Sequence, residues 1–144
     1  MAEIAGLVAT ALTVGEAAAQ LSLALFKIVR AVKNAPNEIA EIAEEISDLS
    51  ASLMVLADIL DRHRVLCRQK LLDHADAILK RFGIIRDDLD KLTRDRGRDR
   101  MKRLRWFIYG PKAKSLLKKV DGIKTSLNLL LNIIHLAREQ HAIE

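Results

Sequence analysis

The residues of this chain best suited to chemistry are its four histidines, its single cysteine and its clustered acids and bases. A metal site on a helix needs His, Cys, Asp or Glu ligands three or four residues apart. His135 and His141 are six apart, about 240° round a helix, and so do not face one another. His135 and Glu139 are four apart, but two ligands are half a site. Cys67 has no second cysteine; Arg64 and Arg68 would lower its pKa, yet it reads as a semi-buried structural thiol rather than a nucleophile. The sequence contains no GxGxxG, Walker, GxSxG or HExxH motif. The paired acids Glu44–Glu45 and Asp87–Asp88 lie beside apolar stripe positions, where solvated helix faces are the ordinary reading. The expectation is a protein that is not an enzyme, with no metal, no cofactor and no small-molecule substrate.

Two features remain. From Ile4 to Phe26 the only charge is Glu16. As a helix these residues would be about 34 Å long, enough to cross a hydrocarbon core of about 30 Å. Glu16, Gln20, Thr10, Thr13 and Ser22 weaken a permanent span, and at rest the pattern favours a buried helix at the centre of a bundle, apolar nearly all round. Ala11, Gly15 and Ala19 recur every four residues, spacing that lets helices approach closely. The membrane-insertion candidates are Ile4, Leu7, Val8, Leu12, Glu16, Leu21, Leu25 and Phe26. The second feature is RDRGRDRMKRLRWFIYGPKAK, residues 94–114. Arg96, Arg98, Arg100, Lys102, Arg103, Arg105, Lys112 and Lys114 are candidates for lipid head groups or phosphates, and Trp106, Phe107 and Tyr109 for an interfacial aromatic cluster. Bases beside Trp and Tyr suit an anionic lipid surface. They also suit single-stranded nucleic acid, here over residues 94–119. A third reading has the aromatics capping the bundle core while the bases stay in water.

The elements that must position these residues are helices. Half of the 144 residues are hydrophobic, with 6 glycines, 2 prolines and few aromatics. That excludes a disordered chain and a turn-rich β-sandwich. The lone cysteine excludes a disulfide scaffold and is consistent with a cytosolic chain. Ile39, Ile42, Ile46, Leu49, Leu53, Leu56 and Leu60 recur at intervals of 3, 4, 3, 4, 3, 4. Leu71, Ala75, Ile78, Phe82, Ile85, Leu89 and Leu92 repeat that pattern, as do Leu116, Val120, Ile123, Leu127, Leu130, Ile134 and Ala137. Leu117, Leu129, Leu131, Ile133 and Leu136 widen the last stripe, which predicts a helix touching several neighbours. Gly83 costs about 1 kcal/mol inside its helix and allows a local bend. Pro36, the RDRGRDR run and Gly110–Pro111 break the helices. The prediction is an all-α, antiparallel four-helix bundle, one domain, with an additional short helix before the last long one. The helices cover about 3–33, 37–66, 69–94, 100–109 and 111–141.

Charge is distributed unevenly among these segments. Residues 35–61 carry seven carboxylates and no base, whereas residues 96–119 carry ten Lys/Arg against one Asp. Such a basic block commonly meets phosphates of nucleic acid or lipid.

The opening MAEIAGLVATALTVGEAAAQLSLALFKIVRAVKNAPNEIAEIAEEI resembles the fungal N-terminal domain of STAND, or NLR-like, proteins, the HeLo-like group. The junction into the acidic second helix is matched by Lys33, Ala35, Pro36, Glu38 and Ile39. RLRWFIYGPKAKSLLKKVDGIKTSLNLLL matches a later segment of that family through Arg103, Leu104, Arg105, Trp106, Lys114, Leu116, Leu117, Val120, Ser126, Leu127, Asn128, Leu129, Leu130 and Leu131. The resemblance covers essentially the whole chain. It implies a helical bundle ahead of a nucleotide-binding, repeat-bearing receptor, so that this chain would be cut from a longer protein. Relatives of HET-s and MLKL type imply a membrane-targeting inducer of regulated cell death, of heterokaryon-incompatibility or innate-immunity type. In that picture the domain is cytoplasmic at rest. On self-association it meets anionic lipid at the plasma membrane, where the first helix inserts. The alternatives are a helical oligomerisation or adaptor module, dimerising through its first and last helices, and nucleic-acid binding.

Overall fold

The computed structural model describes residues 2–31, 37–64, 68–94 and 112–143. They form four α-helices, α1 (Ala2–Ala31), α2 (Asn37–Arg62), α3 (Gln69–Arg94) and α4 (Lys112–Ile143), with no strand among them. The predicted short helix over 100–109 lies outside the described residues. α2 ends four residues before the predicted boundary, because its apolar stripe ends at Leu60; the His63 N–H still bonds to the Ile59 carbonyl. α3 runs unbroken through Gly83.

The helices pack as a bundle with alternating chain direction. α1 lies against α2 and α3, and α4 lies against the same two, so α1 and α4 occupy opposite corners. α1 and α2 are antiparallel, since residue 15 meets residue 50 and residue 22 meets residue 43. α2 and α4 are neighbours running the same way: residues 41–45 face 117–121, and Glu45 and Asp48 meet Lys124. The step from α2 to α3 therefore crosses the diagonal of the bundle.

The stripes read from the sequence are the core. Every named stripe residue of α2 is buried, from Ile39 to Leu60, as are Ala75, Ile78, Phe82, Ile85 and Leu89 of α3 and Leu116 to Ile134 of α4. At the start of α3 the inward residue is Leu72, with Leu71 packing at the margin. α1 fills its corner with Ile4, Leu7, Ala11, Val14, Ala18, Leu21, Leu25 and Ile28. It does not occupy the centre of the bundle, as an all-round apolar helix would. The widened stripe of α4 also differs from expectation. Leu117 and Leu131 pack against the core, but Leu129, Ile133 and Leu136 are 56%, 44% and 59% exposed. Among the described residues α4 packs mainly against α2 and α3, and neither covers these three side chains.

The α1–α2 seam is the tightest. Its small residues are Ala11, Gly15 and Ala18; Ala19 points to solvent. A Cβ added at Gly15 would stand 3.0 Å from Met54 Cε and 3.6 Å from Leu53 Cβ. Two serines, the only buried polar side chains among the described residues, cross this seam. Ser22 Oγ donates to the Ala43 carbonyl and Ser50 Oγ donates to the Gly15 carbonyl, each at 2.7 Å.

The glycines of α1 and α3 thus separate by test. At Gly83 a Cβ meets nothing within 4 Å. Gly83→Ala should raise stability by about 0.5–1 kcal/mol through helix propensity. Gly15→Leu should lower it by about 1–3 kcal/mol through overpacking against Leu53 and Met54. Urea denaturation midpoints check both signs.

Candidate functional site

α1 contains a 28-residue stretch, Glu3–Arg30, long and apolar enough to cross a membrane. Of the insertion candidates, Ile4, Leu7, Leu21 and Leu25 are buried against the bundle, and Val8 and Phe26 are half-buried. Leu12 and Glu16 are exposed. The water-facing side between Glu3 and Lys27 consists of Ala5, Gly6, Ala9, Thr10, Leu12, Thr13, Glu16, Ala19, Gln20 and Leu23. Glu16 is its one charge. A bundle helix ordinarily shows water a charged face. α2 does so, with Glu41, Glu44, Asp48, Asp58 and Asp61 outward.

The polar residues that count against a span are partly neutralised by the helix itself. Thr10 Oγ1 donates to the Gly6 carbonyl at 2.8 Å, and Thr13 Oγ1 to the Ala9 carbonyl at 2.9 Å. Hydroxyls bonded back into their own helix need no outside partner in an apolar medium. Ser22 differs, because its partner is on α2.

Arg96, Arg98, Arg100, Lys102, Arg103, Arg105, Trp106, Phe107 and Tyr109 lie outside the described residues. Lys112 opens α4. Lys114 is exposed one turn in, with Lys118 and Lys119 exposed beyond it. The first two turns of α4 thus continue the basic block on helical backbone.

Sequence reasoning missed a polar seam between α2 and α4. A cavity of about 350 Å³ opens there, lined by Glu41, Glu44, Glu45, Leu117, Lys118 and Asp121. Beside it Lys124 Nζ lies 3.1 Å from Glu45 Oε2 and 3.2 Å from Asp48 Oδ2. The Glu45 contact is an ion pair rather than a well-aligned hydrogen bond. Lys124 is the only Lys or Arg between Lys119 and Arg138, which was a signal. Its partners depend on α2 and α4 being neighbours, which periodicity does not give. His135 Nε2 and Glu139 Oε1 are 3.2 Å apart and well exposed. Among the described residues no group of three or more His, Cys, Asp and Glu could hold a metal ion.

Compared with known protein families, curated proteins and solved structures, the chain finds no match in any of the three.

Glu45 first, then Asp48, hold the Lys124 ammonium above its ordinary pKa of 10.5, with burial opposing in part. In the unfolded chain the lysine returns to its ordinary value. The contact therefore stabilises fully below pH 10.5 and is lost as pH rises through the higher folded value. Lys124→Met should cost about 1 kcal/mol at neutral pH, the scale of partly exposed ion pairs. The gap between wild-type and variant melting temperatures should close in strongly alkaline buffer.

Proposed function

We propose that this chain is the signalling or effector domain of a fungal NLR-like receptor, a membrane-directed inducer of regulated cell death. The observation that carries this reading is α1. It combines a buried apolar face with a solvent face holding one charge, over a length that matches a bilayer. The bundle keeps its inner face from water at rest. Once free of its neighbours, α1 has Glu16, Gln20 and the Ser22 hydroxyl to resist transfer into lipid, with Glu3, Lys27 and Arg30 near its ends.

The basic residues supply the second attraction. Each Lys or Arg near an anionic surface contributes about 1 kcal/mol, and an apolar segment plus a polybasic patch is the combination that anchors stably. Lys114, Lys118 and Lys119 on α4, together with the bases of 96–105, give that patch. Glu16 acts against insertion, since a charge at mid-span needs a partner or water. It favours the soluble state, and in an inserted assembly it would line a wet path.

A second reading is an adaptor that self-associates without membrane activity. Leu129, Ile133 and Leu136 favour it, as an apolar strip on the outer side of α4. A stable dimer with no lipid binding is its expected outcome.

Leakage from vesicles of phosphatidylserine and phosphatidylcholine tests the proposal. The intact domain should release a trapped dye, and deletion of residues 1–20 should abolish release. No vesicle binding at low salt would end the membrane reading; salt-sensitive RNA binding in its place would point to nucleic acid. Glu16→Gln should raise vesicle binding by about tenfold, less than the full cost of a mid-span charge because a carboxylate there can take up a proton. Unchanged binding would remove Glu16 from the switch.

A further inference from the structure

The four seams of the bundle are unequal in kind. α1 and α2 are joined by two buried serine-to-carbonyl bonds across a line of Ala and Gly. The seams around that pair share the apolar core but are less extensive, and their polar contacts lie at the surface. α1 and α3 share an exposed bond from Gln69 Nε2 to Glu3 Oε1. α3 and α4 share an exposed contact of 3.4 Å from Arg81 to Ser126. α2 and α4 share the Lys124 ion pairs, beside an open cavity. Exposed ion pairs contribute little, because water and salt compete for both partners. A buried bond between close-packed helices has no such competitor.

We infer that the bundle opens between the α1–α2 hairpin and the α3 and α4 helices, and that α1 and α2 move as one unit. Release of α1 is then two events. The hairpin first parts from α3 and α4, which frees the apolar inner faces. α1 leaves α2 only afterwards, when Ser22 and Ser50 give up their carbonyls. The mutual pattern of these bonds supports a single unit. Gly15 and Ser22 are seven residues apart on one helix, and Ala43 and Ser50 are seven apart on the other. Each helix therefore holds the other at two points one heptad apart, so sliding or peeling breaks both together.

Native-state hydrogen exchange in low urea tests this without lipid, so its outcome is separate from the membrane reading on which the use of the motion rests. Amides at 75–89 and 116–134 should exchange through a lower opening, and those at 11–25 and 43–57 together through a higher one. Ser50→Ala should speed exchange about fivefold in α1 and α2 alike and leave α3 and α4 unchanged. A covalent variant covers the case in which that substitution unfolds the chain. Gly15→Cys with Leu53→Cys, in a Cys67→Ser background, places two sulfurs on carbons 3.6 Å apart, within the disulfide range. Oxidation should slow exchange in α1 and α2 and leave α3 and α4 within about twofold of the reduced protein. Two results overturn the inference: α1 exchanging ahead of α2, or the disulfide slowing all four helices by one common factor.

Discussion

Everything in this bundle depends on how closely α1 can approach α2. A long helix with almost no charge must hide one face, and the side chains of that face that meet the middle of α2 are small. Ala11, Gly15 and Ala18 solve this by bringing the backbones together. At that distance a serine on either helix can reach a carbonyl on the other. Both carbonyls belong to continuous helix, so the serines take a second lone pair rather than replace a helix bond. Larger residues along this line would push the helices apart and undo both bonds at once.

Charge is sorted by position as much as by segment. Glu45 and Asp48 of α2 are answered by Lys124 of α4, Lys118 lines the cavity beside them, and the acids that face away meet water. α1 has one charge, Glu16, between Glu3 and Lys27. Its water face is the least charged, and it lies diagonally opposite α4, whose first two turns carry the exposed Lys114, Lys118 and Lys119. A surface of this kind is asymmetric: one side is nearly neutral and apolar, another strongly positive.

Much of the fold was legible in the sequence, for a physical reason. A period near 3.6 residues is imposed by the helix itself, so the stripes of α2, α3 and α4 identify the core residues directly. The failures share one cause. Periodicity says which residues are apolar together, but not how many neighbours a helix has. Leu129, Ile133 and Leu136 look like core by pattern and are exposed, because among the described residues α4 packs mainly against α2 and α3 and these side chains face neither. Ala19 fits a four-residue spacing, yet the packing line turns through Ala18, since helix–helix contacts alternate steps of three and four. Lys124 had to wait for the diagonal arrangement before its partners could be named. Of the candidate site, the apolar run of α1 was fully legible, its division into two faces was not, and the aromatic and basic residues of 96–109 lie outside the described structure.

The hairpin also bears on how the chain is made. Its contacts join residues close in sequence, which form quickly because little loop entropy is lost. α2 follows α1 directly and carries the whole surface that α1 needs for its closest packing. During synthesis an apolar stretch with a single charge, such as Ile4–Phe26, is of the kind that membrane-targeting machinery reads. The time for which it stays readable is set by the arrival of α2 from the ribosome, not by completion of the bundle. The serine pair that ties the finished hairpin thus also holds that stretch against α2 once both helices have been made.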